Sequence, residues 1–291
     1  MTFAGFVNGE TSAVLGGTLA FARATGENVG SYLITPSGLT SGNYAITFNT
    51  GSLSITKAVL SITANAKTKV YGAIDPALTF TATGLQFTDT TATVLTGAIA
   101  RTAGERVVGS PYAITQGTLT PNGNYTIAFT GNTLTITKAA LSVTADAKTK
   151  TYGAADPAFT VTYFGFVNSE TPAVLGGTLA FSRAPGENVG SYLITPSGLT
   201  SANYAITFNA GTQTITAPAP LMLPLTLVGG TNVVISWGAV SNGTYRVQFK
   251  PMFNSTNWTD LLGDVTATGS TASKTDSLTT TNRFYRVQVL P

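Results

Sequence analysis

The chain has 291 residues, enough for two or three domains, and only 9% of them are charged. Its longest apolar stretch, residues 221–228, contains Pro224 and is far shorter than the roughly 20 residues that span a bilayer, so the sequence predicts no membrane span. The net charge of +3 comes from 15 basic and 12 acidic residues without a basic cluster, which argues against nucleic-acid binding.

Cysteine and histidine are both absent from the chain. Their absence excludes disulfides, thiolate nucleophiles and the commonest general base. Carboxylate pairs remain, but acids such as Asp75, Asp156, Glu170 and Glu187 recur from copy to copy, which is typical of turn or surface positions. The sequence therefore predicts a protein that is not an enzyme and has no cofactor or metal site.

Internal repeats dominate the sequence. Residues 1–50 and 161–210 differ at only nine of fifty positions, and a divergent copy lies between them. The pair Asn-Tyr recurs at Tyr44, Tyr125 and Tyr204, at spacings of 81 and 79. A period of about 80 residues is long enough for each unit to be a small domain with its own core.

The repeats predict four domains, with boundaries at 1–58, 59–139, 140–218 and 219–291. The first lacks a counterpart of residues 140–160, and Met1 stands where the third repeat has Val161. We hypothesise that translation was assigned to an internal GTG codon, so that a signal peptide would lie upstream.

Strand periodicity is clear within the repeats. Tyr204, Ile206 and Phe208 alternate with polar or small residues, and the second repeat has the same pattern. The repeats follow one another with almost no linker, so we expect a monomeric rod on the order of 100 Å long. Residues 171–177 carry an N-cap, proline and glycine pattern that is consistent with a helix of one or two turns, and the threonine-rich counterpart, residues 90–95, leaves a strand or loop as the equal alternative.

The fourth domain follows an Ala-Pro-Ala-Pro spacer at residues 217–220. Val233, Ile235 and Trp237 alternate, and Asn242-Gly243 predicts a hairpin turn. The predicted fold class is therefore all-β: tandem modules of about 80 residues, with at most one short helix each, followed by a C-terminal β-sandwich. The pattern leaves the topology of the modules open between an immunoglobulin-like sandwich and a β-grasp-like sheet.

Residues 141–166, LSVTADAKTKTYGAADPAFTVTYFGF, resemble the MBG domain of the YGX type, and residues 60–87 match it more loosely. The resemblance implies tandem domains of large secreted bacterial proteins, many of them surface adhesins, and no catalytic residue. The tail resembles a fibronectin type III-like module, through Trp237 and residues 284–287.

Five residues are candidates for a ligand surface. Lys148, Lys150 and Tyr152 share one face of a predicted strand and suggest a stripe for acidic glycans, or lysines that protect an edge strand from pairing. Trp258 and Tyr245 are the candidates in the tail, where an exposed ring would stack on a sugar, although a core position is common for such rings.

These features predict a non-catalytic extracellular repeat protein that acts as a stalk or adhesin-type element at the cell surface. Its partners would be a glycan or a ligand on a host or cell surface. The alternative is a carbohydrate-binding accessory region of a larger secreted enzyme.

Overall fold

The computed structural model describes residues 1–278 and 282–290. They are almost entirely β, with a few short helical turns, which confirms the predicted fold class. The chain divides into two compact units, residues 1–137 and residues 138–291. No helix in the described part of the chain is long and apolar enough to cross a membrane.

The first repeat contributes one antiparallel sheet to the first unit. A 3-10 helix, Ser12–Val14, comes before it. The sheet has the order β1-β2-β3 and consists of β1 (Gly16–Arg23), β2 (Gly30–Thr40) and β3 (Gly51–Ile55).

The second repeat completes the first unit with two sheets and a short strand pair. One sheet has the order β11-β4-β6, the other has the order β5-β12-β9-β8, and β10 pairs with β7. The strands are β4 (Ala58–Ala64), β5 (Lys67–Val70), β6 (Phe80–Thr83), β7 (Leu95–Thr96), β8 (Ala100–Arg101), β9 (Tyr112–Thr115), β10 (Thr120–Pro121), β11 (Tyr125–Thr130) and β12 (Asn132–Thr137).

The core of the second repeat lies between its two larger sheets. Leu60 and Ile62 of β4 share a buried cluster with Ile114 of β9, which belongs to the other sheet. Side chains of β4 alternate between buried and exposed because successive residues of a strand point to opposite faces. The repeat is thus a two-layered sandwich.

The third repeat has the same arrangement in the second unit. One sheet has the order β15-β13-β18 and the other has the order β14-β19-β17-β16. The strands are β13 (Ala139–Ala145), β14 (Lys148–Thr151), β15 (Val161–Phe164), β16 (Gly176–Arg183), β17 (Gly190–Thr200), β18 (Tyr204–Asn209) and β19 (Gly211–Thr216).

Each complete repeat has a single helical turn at the position where the sequence left a short helix and a strand or loop open. In the second repeat it is α1 (Thr91–Val94), where Thr90 and Thr93 form a reciprocal capping box. In the third repeat it is the 3-10 helix Pro172–Val174, with proline in its first turn. The threonine-rich segment that left a strand or loop open is therefore the more regular of the two helices.

The C-terminal region forms two further sheets. β22 pairs with β20, β21 and β26, and β23 pairs with β24, β25 and β27. Trp237 of the first sheet and Tyr245 of the second pack together in the buried core, with ring centroids 5.7 Å apart. The strands are β20 (Leu221–Met222), β21 (Thr226–Val228), β22 (Asn232–Gly238), β23 (Thr244–Lys250), β24 (Thr259–Asp260), β25 (Val265–Thr266), β26 (Thr271–Ser277) and β27 (Phe284–Val289).

The prediction of a hairpin at Asn242-Gly243 is wrong, because the strands on either side of this turn do not pair. Asn242 does have the left-handed backbone typical of such turns, with φ of 70°. However, β22 and β23 belong to different sheets, so the turn carries the chain from one layer to the other. Burial explains the difference, because Trp237 and Tyr245 both face the core between the layers.

Candidate functional site

In each complete repeat, the first two strands pair in parallel with the last two. β13 runs beside β18, from Ala139 opposite Tyr204, and β14 runs beside β19. The second repeat pairs β4 with β11 and β5 with β12 in the same way. Parallel strands need a long connection, and here the rest of the repeat supplies it. The two ends of each repeat are therefore joined directly by backbone hydrogen bonds.

A network of four charged side chains lies beside these strands in the third repeat. The Lys150 ammonium lies 2.6 Å from Asp156 and 2.5 Å from Glu187. The Arg183 guanidinium contacts the same two carboxylates, at 3.0 Å from Asp156. Gln213 of β19 also donates a hydrogen bond to Asp156, at 2.9 Å.

The second repeat has an equivalent network. Lys69 lies 2.6 Å from Asp75 and 2.5 Å from Glu105. Arg101 lies 2.5 Å from Asp75 and also contacts Glu105. The Lys69 side chain is only 4% exposed, so its charge depends on these partners, whereas both carboxylates reach solvent.

The network shifts the pKa values of its members. Hydrogen bonds from Arg101 and then Lys69 hold the pKa of Asp75 below its usual range. Glu105 is likewise held below its usual pKa, first by Lys69 and then by Arg101. Burial alone would lower the pKa of Lys69, but the hydrogen bonds to Asp75 and Glu105 outweigh it, so its pKa is raised. Every charge is therefore stabilised in its ionised form.

The free energy of unfolding should consequently fall both at low pH and at high pH. Carboxylates with a lowered pKa stabilise the fold above their unfolded value of roughly 4, and this contribution is lost as the pH falls through the folded value. A lysine with a raised pKa contributes below its unfolded value of roughly 10.4, and its contribution is lost as the pH rises through the folded value. Hydrogen exchange of second-repeat amides should show a plateau between these limits, and Asp75→Asn should make the acid loss shallower. An unchanged acid loss in that variant would contradict the assignment.

Lys69→Met is expected to lower the free energy of unfolding of the second repeat by about 1–3 kcal/mol. This expected loss is smaller than the loss for a fully buried ion pair, because Asp75 and Glu105 are partly solvated. Lys67→Met is the matched control, since Lys67 lies on the same strand and forms no ion pair among the described residues. Local hydrogen exchange measures both variants, and equal losses would show that the network does not stabilise the repeat.

The sequence interpretation did not find this network. It assigned the acids to turns or the surface and did not consider the arginines. The spacing contained the information, because Lys and Asp recur six residues apart and Arg and Glu recur four residues apart in a chain with few charges. The spacing cannot show that the two pairs meet, since Lys69 and Glu105 are 36 residues apart.

The three residues of the predicted lysine–tyrosine stripe differ in how far their side chains are exposed. Lys150 is buried in the ion-pair network, Lys148 is half-buried, and Tyr152 is 43% exposed. Lys148 and Lys150 lie on β14, an edge strand of its sheet, and Tyr152 directly follows that strand. Tyr152 is followed by Gly153, whose φ of 84° turns the chain away from the sheet, which explains the glycine of the Tyr-Gly motif.

The two candidates in the tail lie in different environments. Tyr245 is fully buried, and its hydroxyl accepts a hydrogen bond from the Val240 N–H at 2.8 Å. Trp258 is half-buried, with Lys250 Nζ 4.9 Å and the Arg286 guanidinium carbon 4.5 Å from its ring centre. The two rings therefore do not form one surface.

Within residues 1–278 and 282–290 no group of His, Cys, Asp or Glu side chains is arranged to hold a metal ion. What recurs is the pairing of first and last strands and the charged network beside it. These features define a tandem-repeat β-protein in which the terminal strands of each complete repeat pair with one another.

The family model of the MBG domain (YGX type) matches residues 1–54, 60–135 and 141–214. These matches cover more than half of the chain, which therefore belongs to the family of MBG domains of the YGX type. No curated protein matches the chain.

Two solved structures are similar over most of the chain. Domains A168–A170 of titin are 9% identical and align over 94% of this chain and 91% of theirs, with a TM-score of 0.27. InvD of Yersinia pseudotuberculosis is 12% identical and aligns over 90% of this chain and 85% of its own, with a TM-score of 0.24. At these scores neither likeness assigns a function.

Proposed function

We propose that the chain is a load-bearing spacer, a stalk or adhesin-type element of an extracellular bacterial protein. The observation that carries the proposal is the parallel pairing of the first two strands with the last two in both complete repeats. Tension enters a repeat at the start of its first strand and leaves at the end of its last strand. The hydrogen bonds of a parallel pair loaded in this way share the force, whereas bonds opened from one end break in succession.

The charged networks support the same role. In the third repeat, Lys150 lies on β14, which pairs with the last strand β19, while Glu187 and Arg183 belong to the middle of the repeat. The network thus adds charge-assisted contacts between the terminal strands and the rest of the repeat. The MBG family supports the extracellular part of the proposal, because its members are typical of extracellular proteins.

Pulling the whole chain by its two ends in a single-molecule instrument tests this role. Each complete repeat has about 80 residues and should lengthen the chain by on the order of 270 Å as it unfolds. Two such steps at high force support the proposal. Gradual extension without discrete steps would contradict it.

Protease treatment of intact cells tests the location, since a surface protein is removed and an internal one is retained.

Glycan binding by the C-terminal domain is the second candidate function. It is favoured by Phe253, which is 79% exposed and packs edge-on against Phe284, with Lys250 4.9 Å from the centre of the nearby Trp258 ring. Exposed aromatic rings of this kind stack on sugars. A glycan array should then give binding that is lost in both Phe253→Ala and Trp258→Ala. An array without binding would favour the spacer alone.

A further inference from the structure

One outer face of the C-terminal domain carries cations and aromatic rings together. Gln248 and Lys250 of β23 lie directly opposite Arg286 and Phe284 of β27, respectively. Residues opposite each other in an antiparallel pair point to the same side of the sheet, and alternate residues of one strand share a face. Val247 of β23 is buried in the core, so these four side chains lie on the opposite, outer face.

Three rings and two cations meet at one end of this face. Lys250 Nζ lies 4.9 Å from the centre of the Trp258 ring and 5.4 Å from the centre of the Phe253 ring. The Arg286 guanidinium carbon lies 4.5 Å from the centre of the Trp258 ring, and the Phe253 and Phe284 ring centroids are 5.7 Å apart. These contacts hold both cations in place against aromatic surface. We call the five residues the cation–aromatic cluster.

In the part of the chain that the structure describes, the two cations of the cation–aromatic cluster have no carboxylate partner. Lys250 donates hydrogen bonds to two backbone oxygens of the loop that follows β23, and Arg286 donates one to Gln248 Oε1 at 2.7 Å. Arg246, on the same face of β23, differs because its guanidinium contacts two aspartates. The charge of Arg246 is therefore neutralised, while the charges of Lys250 and Arg286 are available to an anion.

We propose that the cation–aromatic cluster binds an acidic glycan, a chain of sugars that carry carboxylate or sulfate groups. This inference rests on the second candidate function above, since it names the class of glycan. The rings would contact the apolar faces of the sugars, while Lys250 and Arg286 would bind their negative groups. Cations held at fixed positions suit groups spaced along a glycan chain better than they suit the diffuse surface charge of an anionic bilayer.

Titration calorimetry of the full chain with two pairs of glycans tests the proposal. One pair is oligogalacturonate and its methyl ester, and the other is dextran sulfate and dextran, so that the members of each pair differ in their negative groups. At least one acidic member should bind roughly tenfold or more tightly than its neutral form, because charge-assisted contacts are added. Added salt should weaken that binding, since exposed charges are screened.

Charge variants then test the two cations individually. Lys250→Gln and Arg286→Gln should each weaken binding of the acidic glycan by roughly tenfold, while Lys250→Arg keeps the charge and should retain most of the binding. Lys274→Gln is the matched control, because Lys274 lies on the other sheet of the same domain and also donates to two backbone oxygens. This control should bind as the wild type does. Unchanged hydrogen-exchange protection of β22 shows that each variant is folded.

Three results would overturn the proposal. One is equal binding of the acidic and neutral members of both pairs, which would leave the second candidate function in place for neutral glycans. Another is an equal loss of binding in Lys274→Gln, which would make the binding an effect of net charge alone. The third is binding to vesicles of phosphatidylglycerol and phosphatidylcholine but to no acidic glycan, which would assign the cluster to a membrane surface. Binding to no glycan at all would refute the candidate function as well, so the two failures are distinguishable.

Discussion

Leu60→Ala should lower the free energy of unfolding of the second repeat by about 2–5 kcal/mol. Leu60 is 0% exposed and lies on β4, which has a neighbour on each side and contacts the core through one face. The substitution leaves a cavity where the first strand meets the centre of the repeat. In the proposed role, the hydrophobic contacts of this strand would hold it in place while its hydrogen bonds carry load.

The adjacent residue provides a matched control. Val59 lies on the same strand, points to the opposite face and is 59% exposed. Val59→Ala should change stability by about 0.5 kcal/mol or less. Hydrogen exchange of amides in β4 and β11 measures both effects in the full chain, where a single global transition is not expected. Equal losses in the two variants would mean that the Leu60 face of β4 does not pack on the core.

Trp237→Ala should destabilise the C-terminal domain by about 3–5 kcal/mol. Trp237 is fully buried and contacts Tyr245 across the two sheets, so its loss removes the largest side chain of the core. Trp258 is the chain's other tryptophan and provides the control. It is half-buried beside Lys250, so Trp258→Ala should cost clearly less.

Fluorescence makes this comparison direct. Each variant retains one tryptophan, so the emission change on denaturation reports unfolding of the same domain from the remaining ring. The Trp258→Ala variant should unfold at nearly the wild-type denaturant concentration and the Trp237→Ala variant at a much lower one. The reverse order would mean that Trp258, not Trp237, is the anchor of the core.

The sequence was sufficient to predict an all-β fold built of tandem repeats. Alternation in segments such as residues 204–209, copied at a fixed period, predicts strands with one buried face. The motif in residues 141–166 carries the family resemblance, and the MBG model matches the same region. Both inferences depend on local sequence, which is why they were available without coordinates.

Pairing partners could not be read from the sequence in the same way. The hexapeptide YAITFN forms a strand at Tyr204–Asn209 and none at residues 44–49, so its structure depends on whether β13 has a counterpart. Asn242-Gly243 has the right residues for a hairpin but links two layers. Lys150 looked like a surface residue because its partner Glu187 is 37 residues away. In each case a distant segment decides the outcome.

We propose that the parallel terminal strands make each complete repeat resistant to tension. Since the chain has no cysteine, engineered pairs can set the direction of pull on the second repeat. Lys57→Cys with Lys138→Cys loads the parallel pairs β4–β11 and β5–β12 in shear. Lys57→Cys with Gly123→Cys opens the β4–β11 pair from one end, and Gly123 has space for the new side chain.

Unfolding force in these two directions, measured on the same repeat at the same loading rate, is the most direct test. We expect a clearly higher unfolding force in the shear direction, because the hydrogen bonds between the parallel strands then break together. An equal or lower force in that direction would contradict it.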